Sequence, residues 1–194
     1  MRRLIFLLAL LCALPLAAQT EVGVHAGRAD ARATNADGTT LAFDRGRGFG
    51  ASVEHVSSEH VSYELAATWL RYDGRARLDP SASADLGSLK LLPISATARW
   101  HFAPRGERID PYVGAGAAYV FAKDLASSDL DALGIGRIDV GSKACWLANA
   151  GVAIGRFVID AKVLDYRPQS SAAGNRVRLN LKPVVISAGV RWRL

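Results

Sequence analysis

The alternation of side chains in VSYELAATWL (61–70), PISATARWHF (93–102) and VVISAGVRWRL (184–194) restricts this chain more than any other feature. In the first, Tyr63, Leu65, Ala67 and Trp69 oppose Ser62, Glu64, Ala66 and Thr68. In the second, Ile94, Ala96, Ala98, Trp100 and Phe102 oppose Ser95, Thr97, Arg99 and His101. In the third, Ile186, Val190, Trp192 and Leu194 share a parity, with Ser187, Gly189, Arg191 and Arg193 on the other. Successive side chains of a strand point to opposite faces, so each segment reads as a strand with one apolar side. Eight strands are predicted, at about 21–33, 47–56, 60–72, 88–102, 110–122, 140–154, 156–167 and 177–194. The connections 57–59, 103–108 and 155–156 are short; 34–46, 73–87, 123–139 and 168–176 are longer and polar. A soluble sandwich has no reason to sort its turns in this way. An eight-stranded antiparallel transmembrane β-barrel does, with short periplasmic turns and long outer loops.

The start of the chain sets the compartment. Arg2 and Arg3 precede an apolar run from Leu4 to about Leu14, and small residues follow at Ala17 and Ala18. Residues 1–19 are therefore expected to be a cleaved signal peptide, too short to span a bilayer, and 20–194 the barrel. Cys12 lies within that apolar run and is not read as a lipid anchor. Beyond it no run of roughly 18 apolar residues occurs, although half the chain is hydrophobic. The formal charge of +6 falls by the two charges of Arg2 and Arg3 to +4, mild and scattered, which argues against a nucleic-acid partner. Cys145 is the one remaining cysteine, so no internal disulfide is available. Aromatic residues sort into an outer group (Phe49, Trp69, Phe121, Trp146, Tyr166) and a periplasmic group (Tyr63, Trp100, Tyr112, Phe157, Trp192). Two girdles bounding an apolar band are the arrangement expected in an outer membrane.

Three stretches, VSYELAAT, LPISATARWHFAPRGERIDPYVGAGAAYVF and VRLNLKPVVISAGVRWRL, resemble the OmpW family of small outer-membrane β-barrels. The resemblance runs the whole length after the signal. It implies an eight-stranded barrel whose narrow apolar interior passes small hydrophobic compounds inward, with sideways release into the membrane in several members. The last eight residues also fit the signal read by the barrel-assembly machinery, with Gly189, Trp192 and Leu194 at its marked positions. Leu194 departs from the usual terminal Phe.

With the aromatic-rich parity outward, the inward residues fall into two groups. Glu54, Glu64, Arg99, Asp160, Arg191 and Arg193, with Lys162 above them, form a charged lower half expected to pair into a plug. Leu70, Leu91, Pro93, Val120, Leu147, Leu164, Pro183 and Val185 form an apolar upper half. An apolar funnel for ligands and simple filling of the barrel remain alternatives there. Pro93 cannot donate to a ladder; it either starts the embedded part of its strand or opens the wall between the third and fourth strands.

Catalytic and cofactor signatures are weak. His25, His55, His60 and His101 are expected at the periplasmic rim without ligand spacing to a carboxylate or cysteine, so neither a metal nor a cofactor is implied. No histidine lies near the outer end, where a lipid-facing hydrolase would need one, so the chain is not read as an enzyme. The glycine-rich GAGAAYVFAKD and GRGFG open no helix and make no phosphate cradle. Cys145 reads as a small apolar filler. Two functions therefore stand: a channel for small hydrophobic compounds, or an inert packed barrel whose loops contact lipopolysaccharide or host surfaces. Outer-membrane lipid partners are suggested by Arg45, Arg47, Arg71, Arg75, Arg77 and Lys123.

Overall fold

The computed structural model describes residues 20–30, 32–34, 40–43, 45–79, 82–105, 107–123, 125–126, 128–132, 137–172, 175–178 and 181–194. The expected signal peptide, 1–19, lies outside the described residues, as do the side chains of Arg75 and Arg77. Eight strands form the wall: β1 (Thr20–Asp30), β2 (Gly46–Val56), β3 (Val61–Asp79), β4 (Ala82–His101), β5 (Ile109–Lys123), β6 (Lys143–Ile154), β7 (Phe157–Leu164) and β8 (Val184–Arg193). Each pairs antiparallel with its neighbours in sequence. β8 then pairs with β1, from Glu21↔Arg193 to Asp30↔Val184, so the sheet closes and has no exposed edge in the wall.

Side-chain parity follows the sequence pattern. Ile94, Ala96, Ala98 and Trp100 on β4 are exposed on the outer wall, while Pro93, Ser95, Thr97, Arg99 and His101 are buried inside. β3 alternates in the same way along its wall segment, and β8 does so from Val184 to Ala188. The two-residue turn between β6 and β7 needs Gly155, whose φ of +59° a side chain would strain.

Several expectations are corrected. The segment 73–87 is not a loop: β3 and β4 continue past the wall as a paired arm, from Asp73↔Ser88 to Asp79↔Ala82. Polar residues occupy both parities there, so the sequence carries no alternation to mark a strand. β8 begins at Val184 instead of 177, because Asn175–Arg178 pairs with Gln169–Ala172. Those two segments, with Leu125–Ala126 and Arg137–Val140, form a separate four-stranded sheet, and a short helix, Ser128–Ala132, lies against β4. β7 ends at Leu164. Tyr112 and Tyr166 do not belong to the girdles; both are buried, and their hydroxyls donate to Asp160 Oδ2 and the Gly141 carbonyl at 2.8 and 2.7 Å. Girdle membership depends on parity as well as height, and each phenol finds its polar partner inside. Burial raises the Tyr166 hydroxyl, which lies beyond the wall strands, above its ordinary pKa and keeps it a donor.

Candidate functional site

The lumen is divided by chemistry. In its lower half, Arg99 lies against Glu64 and reaches Glu54 Oε2 at 3.1 Å, with Asp160 Oδ2 at 3.8 Å. Its guanidinium also sits 4.6 Å from the Tyr112 ring centre. Lys162 Nζ donates to Glu64 Oε1 at 2.7 Å. Arg191 is 3.2 Å from Glu21 and 3.8 Å from Asp110. The predicted charges Glu54, Glu64, Arg99, Asp160, Lys162 and Arg191 thus meet in one network. Arg193 does not join it fully: half exposed at the rim, it lies 3.8 Å from Glu21.

Sequence reasoning missed several members. Arg105, in the turn after β4, folds back into the barrel and contacts Asp110 Oδ2 and Glu21 at 2.9 Å and Glu54 at 3.1 Å. Nothing in the turn's sequence separates it from its neighbour Arg108. His101, expected at an aqueous rim, is fully buried between Asp110 Oδ1 and Ser62 Oγ, each 2.8 Å from a ring nitrogen. This Ser–His–Asp order resembles a nucleophile triad, but Ser62 gives its proton to Glu54 Oε1 at 2.6 Å. It offers His101 a lone pair, the reverse of what a nucleophile needs, and all three side chains are sealed from solvent. His25 is also no rim residue; it bonds Thr68 Oγ1 within the lumen at 3.0 Å. His60 stacks on Trp100 at 5.6 Å. Among the described residues no three His, Cys, Asp or Glu side chains are arranged to hold a metal ion.

The upper half is apolar. Leu70, Leu91, Pro93, Val120, Leu147, Leu164 and Val185 are all buried on the inner face. Pro183 is buried just before β8, and its carbonyl accepts from the Leu164 amide at 3.0 Å. Cys145 is a buried free thiol in the same cluster. Leu125, Ile138, Val140 and Leu181, from the outer connections, pack into this cluster and close it from above. Two lumen cavities are small: about 40 Å³ beside Glu54, Arg99 and Asp160, and about 20 Å³ beside Thr68, Leu70, Pro93 and Leu147. Neither approaches the roughly 300 Å³ of a small-molecule pocket.

The wall beside that upper cavity lacks part of its ladder. On the β3–β4 seam the register passes through Ala67↔Ile94 and resumes at Leu70↔Leu91 with no shift. The intervening positions, Thr68 with Pro93 and Trp69 with Leu92, do not pair. Pro93 has no amide proton to give. On its other side it stays in register with Val120 of β5, so the interruption belongs to one seam.

The OmpW family model matches residues 16–194. The chain belongs to the OmpW family. OmpW proteins named Outer membrane protein W from Salmonella typhimurium and Escherichia coli K12 are 29% and 26% identical to it. The first match covers 69% of this chain and 64% of the relative, so it spans less than two thirds of that protein; the second covers 89% and 88%. The fold is also that of OprG from Pseudomonas aeruginosa, with a TM-score of 0.71 at 14% identity over 91% of this chain and 96% of that one. This OmpW-family member is an integral protein of the Gram-negative outer membrane.

The residues expected to form the assembly signal stand in and just after its last strand. Trp192 and Leu194 are exposed on the outer wall, and the Leu194 amide donates to the Thr20 carbonyl at 2.9 Å. Gly189 faces the lumen, where a Cβ would meet the Val24 carbonyl oxygen at 2.3 Å.

Proposed function

We propose that this barrel admits small apolar molecules from outside into its upper lumen and releases them sideways through the β3–β4 seam. The unpaired stretch at Thr68–Trp69 and Leu92–Pro93 carries the reading, because a small cavity lies directly behind it. Leu70, Leu91, Val120, Leu147, Leu164 and Val185 line the inner path, where an apolar solute loses its contact with water. The ion-paired floor makes passage through the base costly, since an apolar solute would have to separate buried charges. Leu125, Ile138, Val140 and Leu181 must move aside for entry, so the closed lumen is the resting state of a gated path. Gly189, Trp192 and Leu194 are read as the signal for the assembly machinery.

The tight packing of that lumen favours a second reading, an inert barrel whose outer loops contact lipopolysaccharide or host surfaces. The two separate in transport. Pro93→Val supplies the missing donor and should close the seam, cutting uptake of an apolar fluorescent reporter into proteoliposomes several-fold with stability unchanged or raised. Leu147→Asp should cut it similarly by placing a hydrated charge on the path. If both variants fold and take up the reporter at the original rate, the inert barrel is the better account.

A further inference from the structure

Five adjacent strands carry basic side chains in one unbroken cross-strand row. Arg28 on β1 stands opposite Arg47 on β2, Arg47 opposite Arg71 on β3, Arg71 opposite Lys90 on β4, and Lys90 opposite Lys123 on β5. All five share the outward parity of Phe49, Trp69, Leu92 and Phe121, which lie two residues nearer the bilayer on their strands. Phe49 and Trp69 pack at 5.3 Å directly beneath Arg47 and Arg71.

Like charges set opposite one another on a sheet repel and destabilise it, so folding alone does not favour this row. Its internal neutralisation is slight. Arg71 has Asp73 at 3.6 Å, both at least half exposed. Asp30 lies 3.9 Å from Arg45, itself outside the row. Among the described residues Arg28, Arg47, Lys90 and Lys123 have no carboxylate within ion-pair distance. Strand tilt makes the row climb by roughly 3 Å per strand, so it rises from the outer girdle through the headgroup layer.

We propose that this row docks the phosphates of a phosphorylated glycolipid of the outer leaflet, of the lipid A type. Neighbouring cations about 5 Å apart can share phosphate oxygens, and the arginine fork binds them two at a time. A lipid gains more here than a free phosphate does. Its acyl chains lie against the girdle beneath the row, whereas exposed ion pairs alone are weak and screened by salt. This surface lies on the outside of the wall, and its lipid-binding test needs no transport through the lumen, although Trp69 and Leu92 beneath Arg71 and Lys90 also flank the β3–β4 seam.

The test uses the folded protein in maltoside micelles, which carry no phosphate. Its thermal unfolding is followed with added bisphosphorylated lipid A, dephosphorylated lipid A or inorganic phosphate. The midpoint should rise by several degrees with the bisphosphorylated lipid and clearly less with the other two. In R47Q/R71Q/K90Q the lipid-induced rise should fall by more than half, while the lipid-free midpoint is no lower than native because repulsion is relieved. If that triple variant does not fold, R71Q and R71K give the same comparison, with the larger loss expected for R71Q. Equal stabilisation by dephosphorylated lipid, equal stabilisation by inorganic phosphate, or an undiminished rise in the neutralised variants would each overturn the proposal.

Discussion

Arg99→Met should destabilise the folded barrel by about 3–5 kcal/mol, the cost of leaving buried charge uncompensated. Arg99 is almost completely buried and holds Glu54 and Glu64 together, with Asp160 at the margin of contact. Among the described residues Glu64 then keeps Lys162 at 2.7 Å, and Glu54 keeps Arg105 at 3.1 Å, His101 at 3.5 Å and the Ser62 hydroxyl. Arg99→Lys should recover part of the loss, because one ammonium cannot serve both carboxylates in the guanidinium geometry. Adding Glu64→Gln to Arg99→Met should also recover part, since it removes one stranded charge. Urea unfolding in lipid vesicles measures all three. A loss under 1 kcal/mol for Arg99→Met would mean that the floor is hydrated and loosely packed.

Ile186→Arg should cost about 2–4 kcal/mol, and Ile154→Arg about 1 kcal/mol or less. Both isoleucines are exposed on the outer wall, at 58% and 45%, so a soluble protein would tolerate either change equally. The difference arises from depth. Ile186 lies within β8, opposite Ala161 of β7 and Arg28 of β1, on the bilayer side of the basic row. Ile154 ends β6 at the short turn, where an arginine reaches water. Ala98→Arg should resemble Ile186→Arg. Equal costs at all three positions, in the same urea titration, would contradict this placement of the bilayer.

The wall of this protein was legible because the bilayer imposes a period of two. Within the wall the strand register follows that alternation, and Glu54, Glu64, Arg99, Asp160 and Lys162 could be assigned to the lumen by counting alone. The same counting brought Leu70, Leu91, Val120, Leu147, Leu164 and Val185 to one apolar layer. It failed where the period does not operate. The arm formed by β3 and β4 beyond the wall has no apolar face, and the chain there looks like a loop. Arg105 belongs to a turn, and its inward fold depends on Glu21, Glu54 and Asp110, which come from three different strands. The cap over the apolar layer is built from isolated residues in polar connections, Leu125, Ile138, Val140 and Leu181, which share no periodicity. Pro93 could be singled out as a ladder breaker with the seam between the third and fourth strands as one alternative, and it is on that seam, not against β5, that pairs are missing.

The sideways route is tested most directly by a reversible clamp on the seam. Trp69 and Leu92 face each other across the unpaired stretch, on either side of the preserved register. With both changed to cysteine, a disulfide can hold β3 and β4 together there, and a Cys145→Ser background removes the free thiol. Uptake of an apolar reporter into proteoliposomes would be compared before oxidation, after oxidation and after reduction, with cross-linking verified by mass. Sideways release through this seam requires uptake to fall several-fold on oxidation and to return on reduction. Unchanged uptake in the fully cross-linked protein would contradict it.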